Sequence, residues 1–156
     1  MKVDGACACG TIKVEAEADP EKTQVCHCTD CQTASGTAFW VSIPVAGATF
    51  KITGKPAIYV KTTAESGRPR VQAFCGTCGS PIYSTTPGEG VQPSYTLRVG
   101  ILRQRDQLTP RRQFWWRWRS HGSPTSPASS DTKNKADTGA NHDRDRIPLA
   151  AEARLA

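Results

Sequence analysis

Apolar and polar side chains alternate along several short stretches of the first hundred residues. From residue 11 to residue 18, every second side chain is apolar and those between are charged: Ile12, Val14, Ala16 and Ala18 against Lys13, Glu15 and Glu17. A period of two predicts a strand with one buried face.

Further short β-like runs lie at residues 38–43, 49–52, 57–61, 70–74, 82–84 and 95–99. Gly and Pro interrupt the chain between them, for example at residues 53–56 and 66–69, which indicates hairpins or meanders. Because the strands are regularly spaced and no long helical pattern is visible, the sequence predicts an all-β domain.

The composition changes after about residue 119. Residues 120–146 are mostly Ser, Thr, Pro, Asn, Asp, Lys and Gly, and so few apolar side chains cannot offset the entropy cost of ordering the chain. We therefore predict a disordered C-terminal tail, with a short helix at residues 149–156 as an option. A chain of 156 residues then divides into one domain, residues 3–117, and a tail, residues 118–156.

Location and partners are constrained by hydropathy and charge. No apolar run approaches the roughly 18 residues of a membrane span, and the first five residues lack the apolar core of a secretory signal, so we expect a cytoplasmic protein without a membrane partner.

The formal net charge is +6. Residues 1–110 carry eleven Lys and Arg against nine Asp and Glu, whereas residues 111–156 carry nine against five. Because most of the excess lies in the tail, the domain is not predicted to bind nucleic acid.

All seven cysteines lie between residues 7 and 78. They form three clusters: Cys7-Ala8-Cys9-Gly10, Cys26-His27-Cys28-Thr29-Asp30-Cys31 and Cys75-Gly76-Thr77-Cys78-Gly79. Thiols so close along the chain are poor disulfide partners for one another. The close spacing and the odd number of cysteines are typical of metal binding in a reducing compartment. A disulfide framework with one free thiol is the less favoured alternative.

The spacing of the clusters predicts two zinc ions per chain. The third cluster has two thiols separated by two residues and followed by Gly, which is a zinc knuckle, and the first cluster can supply two more ligands from a turn. Paired, they give a closed site of Cys7, Cys9, Cys75 and Cys78. The middle cluster then offers Cys26, Cys28 and Cys31, which leave one tetrahedral position free for chemistry.

Three thiolates on one Zn²⁺ make a weak Lewis acid with net charge −1. Such a site is suited to holding an incoming thiolate or to polarising a carbonyl beside it, so a thiol is the expected substrate. Two alternatives remain open: His27 as a fourth ligand that closes the site, and a different pairing of the clusters. Asp30 is expected to be a turn or cap residue.

The three motifs in order resemble the glutathione-dependent formaldehyde-activating enzyme (CENP-V/GFA) family. They are Cys-x-Cys-Gly at 7–10, Cys-His-Cys-x-x-Cys-Gln-x-x-x-Gly at 26–36 and Cys-x-x-Cys-Gly-Ser-Pro at 75–81, and the similarity extends from about Val3 to Trp116. Beyond Trp116 the sequence departs from the family pattern, either by an altered reading frame or by real divergence.

The resemblance implies a β-tent, also called Mss4-like, zinc fold of small antiparallel sheets. It also implies that Cys7, Cys9, Cys75 and Cys78 hold a structural zinc, and that Cys26, Cys28 and Cys31 hold a catalytic one. The family's activity condenses formaldehyde with glutathione to S-hydroxymethylglutathione, a carbon-sulfur lyase reaction in reverse. The expected partners are therefore a small thiol and an aldehyde.

Two other functions compete with this enzyme. The first is a noncatalytic, zinc-stabilised binding or scaffold module, in which the middle site has a fourth protein ligand. The second concerns residues 111–119, where Arg alternates with aromatic residues and could stack on single-stranded nucleic acid or lie at a membrane interface. The preferred interpretation of this segment is that Phe114 and one or two tryptophans cover the core while the arginines face water. The sequence does not determine the oligomeric state.

Overall fold

The computed structural model describes residues 1–64, 67–88, 93–120 and 130–131. Within them lie eleven strands and one α-helix: β1 Lys2–Ala6, β2 Lys13–Glu17, β3 Gln24–Cys26, α1 Thr29–Ser35, β4 Trp40–Ala46, β5 Lys51–Thr53, β6 Ala57–Lys61, β7 Arg70–Phe74, β8 Pro81–Thr85, β9 Ser94–Arg98, β10 Arg112–Phe114 and β11 Ser130–Asp131. The predicted tail disorder and the optional helix at 149–156 fall almost wholly outside the described residues. Among those residues, no helix has the length and apolar character needed to cross a bilayer.

The strands form two sheets. One has three strands in the order β1-β2-β5, and the other has eight in the order β11-β10-β3-β4-β9-β8-β7-β6. Pairing is antiparallel except at one end of the large sheet, where β10 runs parallel to both β3 and β11. The all-β prediction is therefore confirmed, and the parallel pairs of β10 add to the antiparallel pairing expected from the family resemblance.

Each of the seven predicted strand segments overlaps a strand of the structure, and two of these strands, β6 and β7, have the predicted bounds. Four strands, β1, β3, β10 and β11, were not predicted, because each is too short or too irregular in its apolar and polar alternation to be recognised. The helix α1 was missed for the same reason. It spans only seven residues, and it is stabilised at its ends by the Cys28 side chain as N-cap and by Gly36 in a left-handed conformation as C-cap.

The turn at residues 53–56 is not a hairpin. It carries the chain from β5 in the small sheet to β6 in the large one, because Gly54, at φ +89°, brings the backbone close to Thr11 and then away from β2. Residues 62–69 do join an antiparallel pair, β6 and β7, as predicted.

Apolar side chains of both sheets meet in one core. Val14 and Ala16 of β2 contribute to it, as do Ile43 of β4 and Leu97 of β9, and all are nearly fully buried. The predicted alternation in residues 11–18 is confirmed, since Ile12, Val14, Ala16 and Ala18 are buried and the charged residues between them are exposed.

The opposite face of the large sheet is polar. The register places Gln24 opposite Ser42 and Ser42 opposite Arg98, and on the next strands it places Thr96 opposite Ser84 and Ser84 opposite Gln72. Ser42, Ser84 and Arg98 are nevertheless almost fully buried. Buried polar side chains need hydrogen-bond partners, and on this face, which we call the polar floor, Gln24 donates to Ser42, Arg70 to Ser84 and Arg98 to Gln72.

Close contact between β1 and the segment after β9 permits a test of the fold. Gly5 pairs with Val14 of β2 and bridges to Leu102, and a Cβ there would overlap the Ile101 carbonyl oxygen and lie 2.8 Å from its carbonyl carbon. We predict that Gly5→Ala lowers the free energy of unfolding by about 1–3 kcal/mol, measured by urea unfolding. Gly100→Ala is the matched control, since a Cβ there meets no atom within 4 Å, and equal effects of the two substitutions would contradict the close packing.

Candidate metal centres

Four cysteines from the first and third clusters meet at one point. Cys7 and Cys9 lie in the turn after β1, and Cys75 and Cys78 lie in the turn between β7 and β8. Their four Sγ atoms all lie within 4.8 Å of one another. This four-cysteine cluster has the donor set and compactness that suit a tetrahedral metal ion.

Local backbone geometry explains why these turns direct their sulfurs inward. Gly10 and Gly79 each adopt a positive φ, +76° and +71°, and their N–H groups donate to the carbonyls of Cys7 and Cys75, each at 2.9 Å. The Ile12 N–H donates to Cys7 Sγ at 3.2 Å. Both turns are thus closed by a residue that favours left-handed geometry.

The middle cluster forms a second group. Cys26 ends β3, Cys28 caps the N-terminus of α1, and Cys31 lies in the first turn of that helix. The Cys31 N–H donates to Cys28 Sγ at 3.3 Å, and the three Sγ atoms lie within 4.8 Å of one another. Among the described residues, no other His, Cys, Asp or Glu belongs to this three-cysteine cluster.

His27 lies outside the group that the three sulfurs form. It is buried, its Nε2 lies 3.0 Å from Gln113 Oε1, and its ring packs edge-on against Phe39 and Trp116. It therefore supports the packing behind α1 and does not act as a fourth ligand, which removes the first alternative left open by the sequence. Asp30 pairs with Lys61, Oδ1 to Nζ at 3.0 Å.

The thiols of the three-cysteine cluster require a cation if all three are to ionise. Hydrogen bonding with Cys28 and Cys31 lowers the pKa of Cys26 to about 4. The same contacts raise the pKa of Cys28 to about 11 and also raise the pKa of Cys31. A single thiolate thus suppresses ionisation of its neighbours, and a soft divalent cation is the group that makes three adjacent thiolates stable. The donor set fits zinc.

A cavity of about 220 Å³ lies beside the three-cysteine cluster. Its base is the polar floor of the large sheet, and Phe114 and Trp115 line another side. Lys61, Arg70 and Arg98 also line it, whereas Asp30 is the one carboxylate among the described lining residues. The cavity is therefore electropositive apart from the thiols.

Arg98 is the most deeply buried of these cations. Its Nη2 donates to Gln72 Oε1 at 2.8 Å, and its guanidinium carbon lies 3.5 Å from the centre of the Trp40 ring, a cation–π contact. Burial lowers the pKa of Arg98 to about 10, and the nearby cysteines oppose this shift. Arg98 is consequently charged at neutral pH.

In residues 111–119, Phe114 and one or two tryptophans were expected to cover the core. This expectation is wrong for Phe114, which lines the cavity, as Trp115 does. β10 pairs with β3 so that Phe114 lies opposite Cys26, which places the segment over the site. Arg111, Arg112 and Arg117 are exposed as expected, whereas the guanidinium of Arg119 stacks on Trp116 at 4.0 Å. Binding of this segment to nucleic acid or to a membrane interface remains an untested alternative.

The segment following Trp116 contacts the motif helix. The Gln32 Nε2 donates to the Trp118 carbonyl at 2.9 Å, and the Ser120 hydroxyl donates to Gln32 Oε1 at 3.3 Å. The chain therefore keeps contact with α1 as far as Ser120. The domain boundary at residue 117 remains a prediction.

The model of the glutathione-dependent formaldehyde-activating enzyme family matches residues 2–118. The chain belongs to this family. Among solved structures, a Rhodobacter sphaeroides protein is similar, with 18% sequence identity and a TM-score of 0.53 over 71% of this chain and 98% of that one. At this identity the likeness concerns the fold alone. No curated protein matches the sequence significantly.

The sequence predicted the cysteines of both clusters but not the cavity beside the three-cysteine cluster. Lys61, Arg70, Gln72, Arg98 and Trp115 were not predicted as site residues. A signal was present in the strands: polar residues recur at every second position in β7 and β9, at Arg70 and Gln72 and at Thr96 and Arg98. The register is needed to show that these positions share one face.

Trp115 allows a test of how the cavity wall is built. It is the one described non-glycine residue with positive φ, at +59°, a conformation that costs an L-residue about 1–2 kcal/mol. We predict that Trp115→Gly is more stable than Trp115→Ala by about 1 kcal/mol, because both remove the indole and only Ala retains the strain. Thermal or urea unfolding of the two variants measures the difference, and equal stabilities would show that the left-handed backbone is not retained.

Proposed function

We propose that this protein is a zinc-dependent enzyme of the carbon-sulfur lyase class. In this proposal it forms or cleaves the adduct of glutathione, or of a related thiol, with formaldehyde or another small aldehyde. The observation that carries the proposal is the three-cysteine cluster beside an electropositive cavity, with no fourth protein ligand among the described residues. Three protein ligands leave a position for a substrate, as in catalytic zinc sites.

The two clusters take different roles in this proposal. Cys7, Cys9, Cys75 and Cys78 hold a structural Zn²⁺ that ties the turn after β1 to the turn between β7 and β8. Cys26, Cys28 and Cys31 hold the Zn²⁺ used in the reaction. Zn²⁺ bound there supplies a positive centre that lowers the pKa of a thiol and polarises a carbonyl.

The chain's own residues prepare the cavity for an anionic sulfur. Arg98, fixed by Gln72 and Trp40, places a buried positive charge on the cavity wall, which favours the thiolate over the thiol of an incoming substrate. Phe114 and Trp115 cover part of the cavity with aromatic surface and reduce the access of water to the reacting sulfur, which strengthens these electrostatic interactions.

The volume of the cavity limits which part of the substrate enters it. At about 220 Å³ it is smaller than the roughly 300 Å³ at which pockets for whole drug-sized ligands begin. We infer that only the reacting end of glutathione enters and that the rest of the tripeptide lies outside. The cytoplasmic location predicted from the sequence agrees with a glutathione-using enzyme and remains a prediction.

Serine substitutions in the two clusters separate the enzyme from a noncatalytic zinc module. Cys28→Ser retains a good N-cap for α1, because the hydroxyl can accept the Cys31 N–H that Cys28 Sγ accepts now. Cys78→Ser removes a ligand from the cluster that joins the two sheets, where metal binding contributes directly to folding.

We predict that Cys28→Ser stays folded and loses activity and about one zinc per chain, whereas Cys78→Ser loses its cooperative unfolding transition. Circular dichroism and metal analysis measure both, and equal unfolding of the two variants favours the noncatalytic module.

Binding of thiol at the three-cysteine cluster is the direct test of the proposed chemistry. We expect saturating glutathione to add one sulfur to the average coordination shell of the zinc-loaded protein, observed by X-ray absorption. Cys28→Ser, which lacks a complete three-cysteine cluster, is the control and should show no such change. An unchanged shell in the wild-type protein at saturating thiol would falsify the proposal.

A further inference from the structure

Arg70 occupies an unusual place on the polar floor. In the register of β6 and β7 it lies directly opposite Lys61, and like charges in such cross-strand pairs are destabilising. Its guanidinium is held by hydroxyl groups alone: Nη1 donates to Thr86 Oγ1 at 2.6 Å and Nη2 to Ser84 Oγ at 3.2 Å. In the described part of the chain, no carboxylate forms an ion pair with it.

Arg98 brings a second guanidinium group to the same cavity. The residue is 4% exposed, and its Nε is buried without a hydrogen-bond partner among the described residues. Both guanidinium groups line the same cavity, and the positive charge of Arg70 is one of the lesser causes that lower the pKa of Arg98, after burial. Two guanidinium groups are thus held near each other on a face where Ser84 and Thr96 supply hydroxyls.

The charges of the cavity leave one cation without a counterion. Lys61 is paired with Asp30. Three thiolates with one Zn²⁺ carry net charge −1, which the nearby Arg98 balances. Arg70 then remains a partly buried positive charge that Thr86 and Ser84 bind through hydroxyl groups and that no described carboxylate neutralises, so a carboxylate on a ligand is its natural counterion.

We propose that Arg70 and Arg98, with the hydroxyls of Ser84 and Thr96, form a carboxylate subsite beside the three-cysteine cluster. This inference rests on the proposed function and adds a substrate class to it: the reacting end bears a carboxylate as well as sulfur or carbonyl carbon. Guanidinium groups recognise carboxylates through paired N–H donors. The small volume of the cavity requires the carboxylate and the reacting atom to belong to one compact group.

The carboxylate can be carried by the thiol or by the aldehyde. In the second case the substrate is a 2-oxo acid such as glyoxylate, and the reaction is an addition without oxidation or reduction. The thiol sulfur forms a bond to the aldehyde carbon, the carbonyl π bond breaks, and the thiol proton ends on the carbonyl oxygen. The product is a hemithioacetal with an adjacent carboxylate, and its cleavage is the reverse.

Calorimetric titration of the zinc-loaded full-length protein tests the subsite with matched probes. Mercaptoacetate and its neutral analogue mercaptoacetamide report on a thiol-borne carboxylate. Turnover of glutathione with glyoxylate against formaldehyde reports on an aldehyde-borne one. We expect at least one of these comparisons to favour the carboxylate by about tenfold, the effect of one hydrogen-bonded charge pair, and which of them does so identifies the source.

Two substituted proteins and a competition experiment with acetate test the carboxylate subsite even if one variant does not fold. Arg70→Gln should reduce the preference to within about threefold, whereas the charge-matched control Arg105→Gln, at an exposed residue whose guanidinium donates to the Gly100 carbonyl, should retain it. In the wild-type protein, acetate should compete with the carboxylate-bearing probe and leave binding of the neutral thiol unchanged. The acetate competition keeps the test decisive if Arg70→Gln does not fold.

The outcomes distinguish this inference from the proposed function. If the wild-type protein shows no preference in either comparison, or if folded Arg70→Gln keeps the full preference, the subsite is wrong while the thiol chemistry stands. If no thiol binds but acetate binds to the wild-type protein and not to Arg70→Gln, the subsite stands and the proposed function is wrong.

Discussion

The arrangement of the two sheets depends on the meeting of four thiol groups. Cys7 and Cys9 follow a strand of the small sheet, and Cys75 and Cys78 lie between strands of the large one, so the four-cysteine cluster joins residues about seventy positions apart. The Ala8 N–H donates to Ser80 Oγ at 3.0 Å across the same junction. Because Cys7 and Cys75 also belong to the apolar core, the cluster positions the core and the polar floor together.

The position of the three-cysteine cluster depends on the two sheets that the four-cysteine cluster joins, although its own residues lie outside that junction. Its residues come from the end of β3 and the first turn of α1, and β3 is fixed between β4 and β10. The core face of the large sheet supports the strands from one side, and the polar floor on the other side supplies Arg98, Arg70 and Gln72 to the cavity. One sheet thus separates a structural face from a face that can bind a ligand, because side chains alternate along each strand.

Much of the candidate site was predictable because its cysteines are close together in sequence. Cys26, Cys28 and Cys31 span six residues, and the knuckle of Cys75 and Cys78 is closed by Gly79, so the chain itself brings these sulfurs near one another. The rejection of His27 required the structure. Its neighbours Phe39, Gln113 and Trp116 lie far from it in sequence, and nothing local shows which way an imidazole between two cysteines points.

The sequence alone determined the two groups of sulfur donors, the all-β character of the domain and the family, because each of these follows from spacing and periodicity within short segments. The tertiary structure decided that Arg70 and Lys61 lie side by side, that Arg98 shares their face, and that Phe114 and Trp115 enclose the cavity. These facts depend on the register between strands distant in sequence. A shift of one residue in that register would turn Lys61, Arg70, Arg98 and Phe114 to the opposite face.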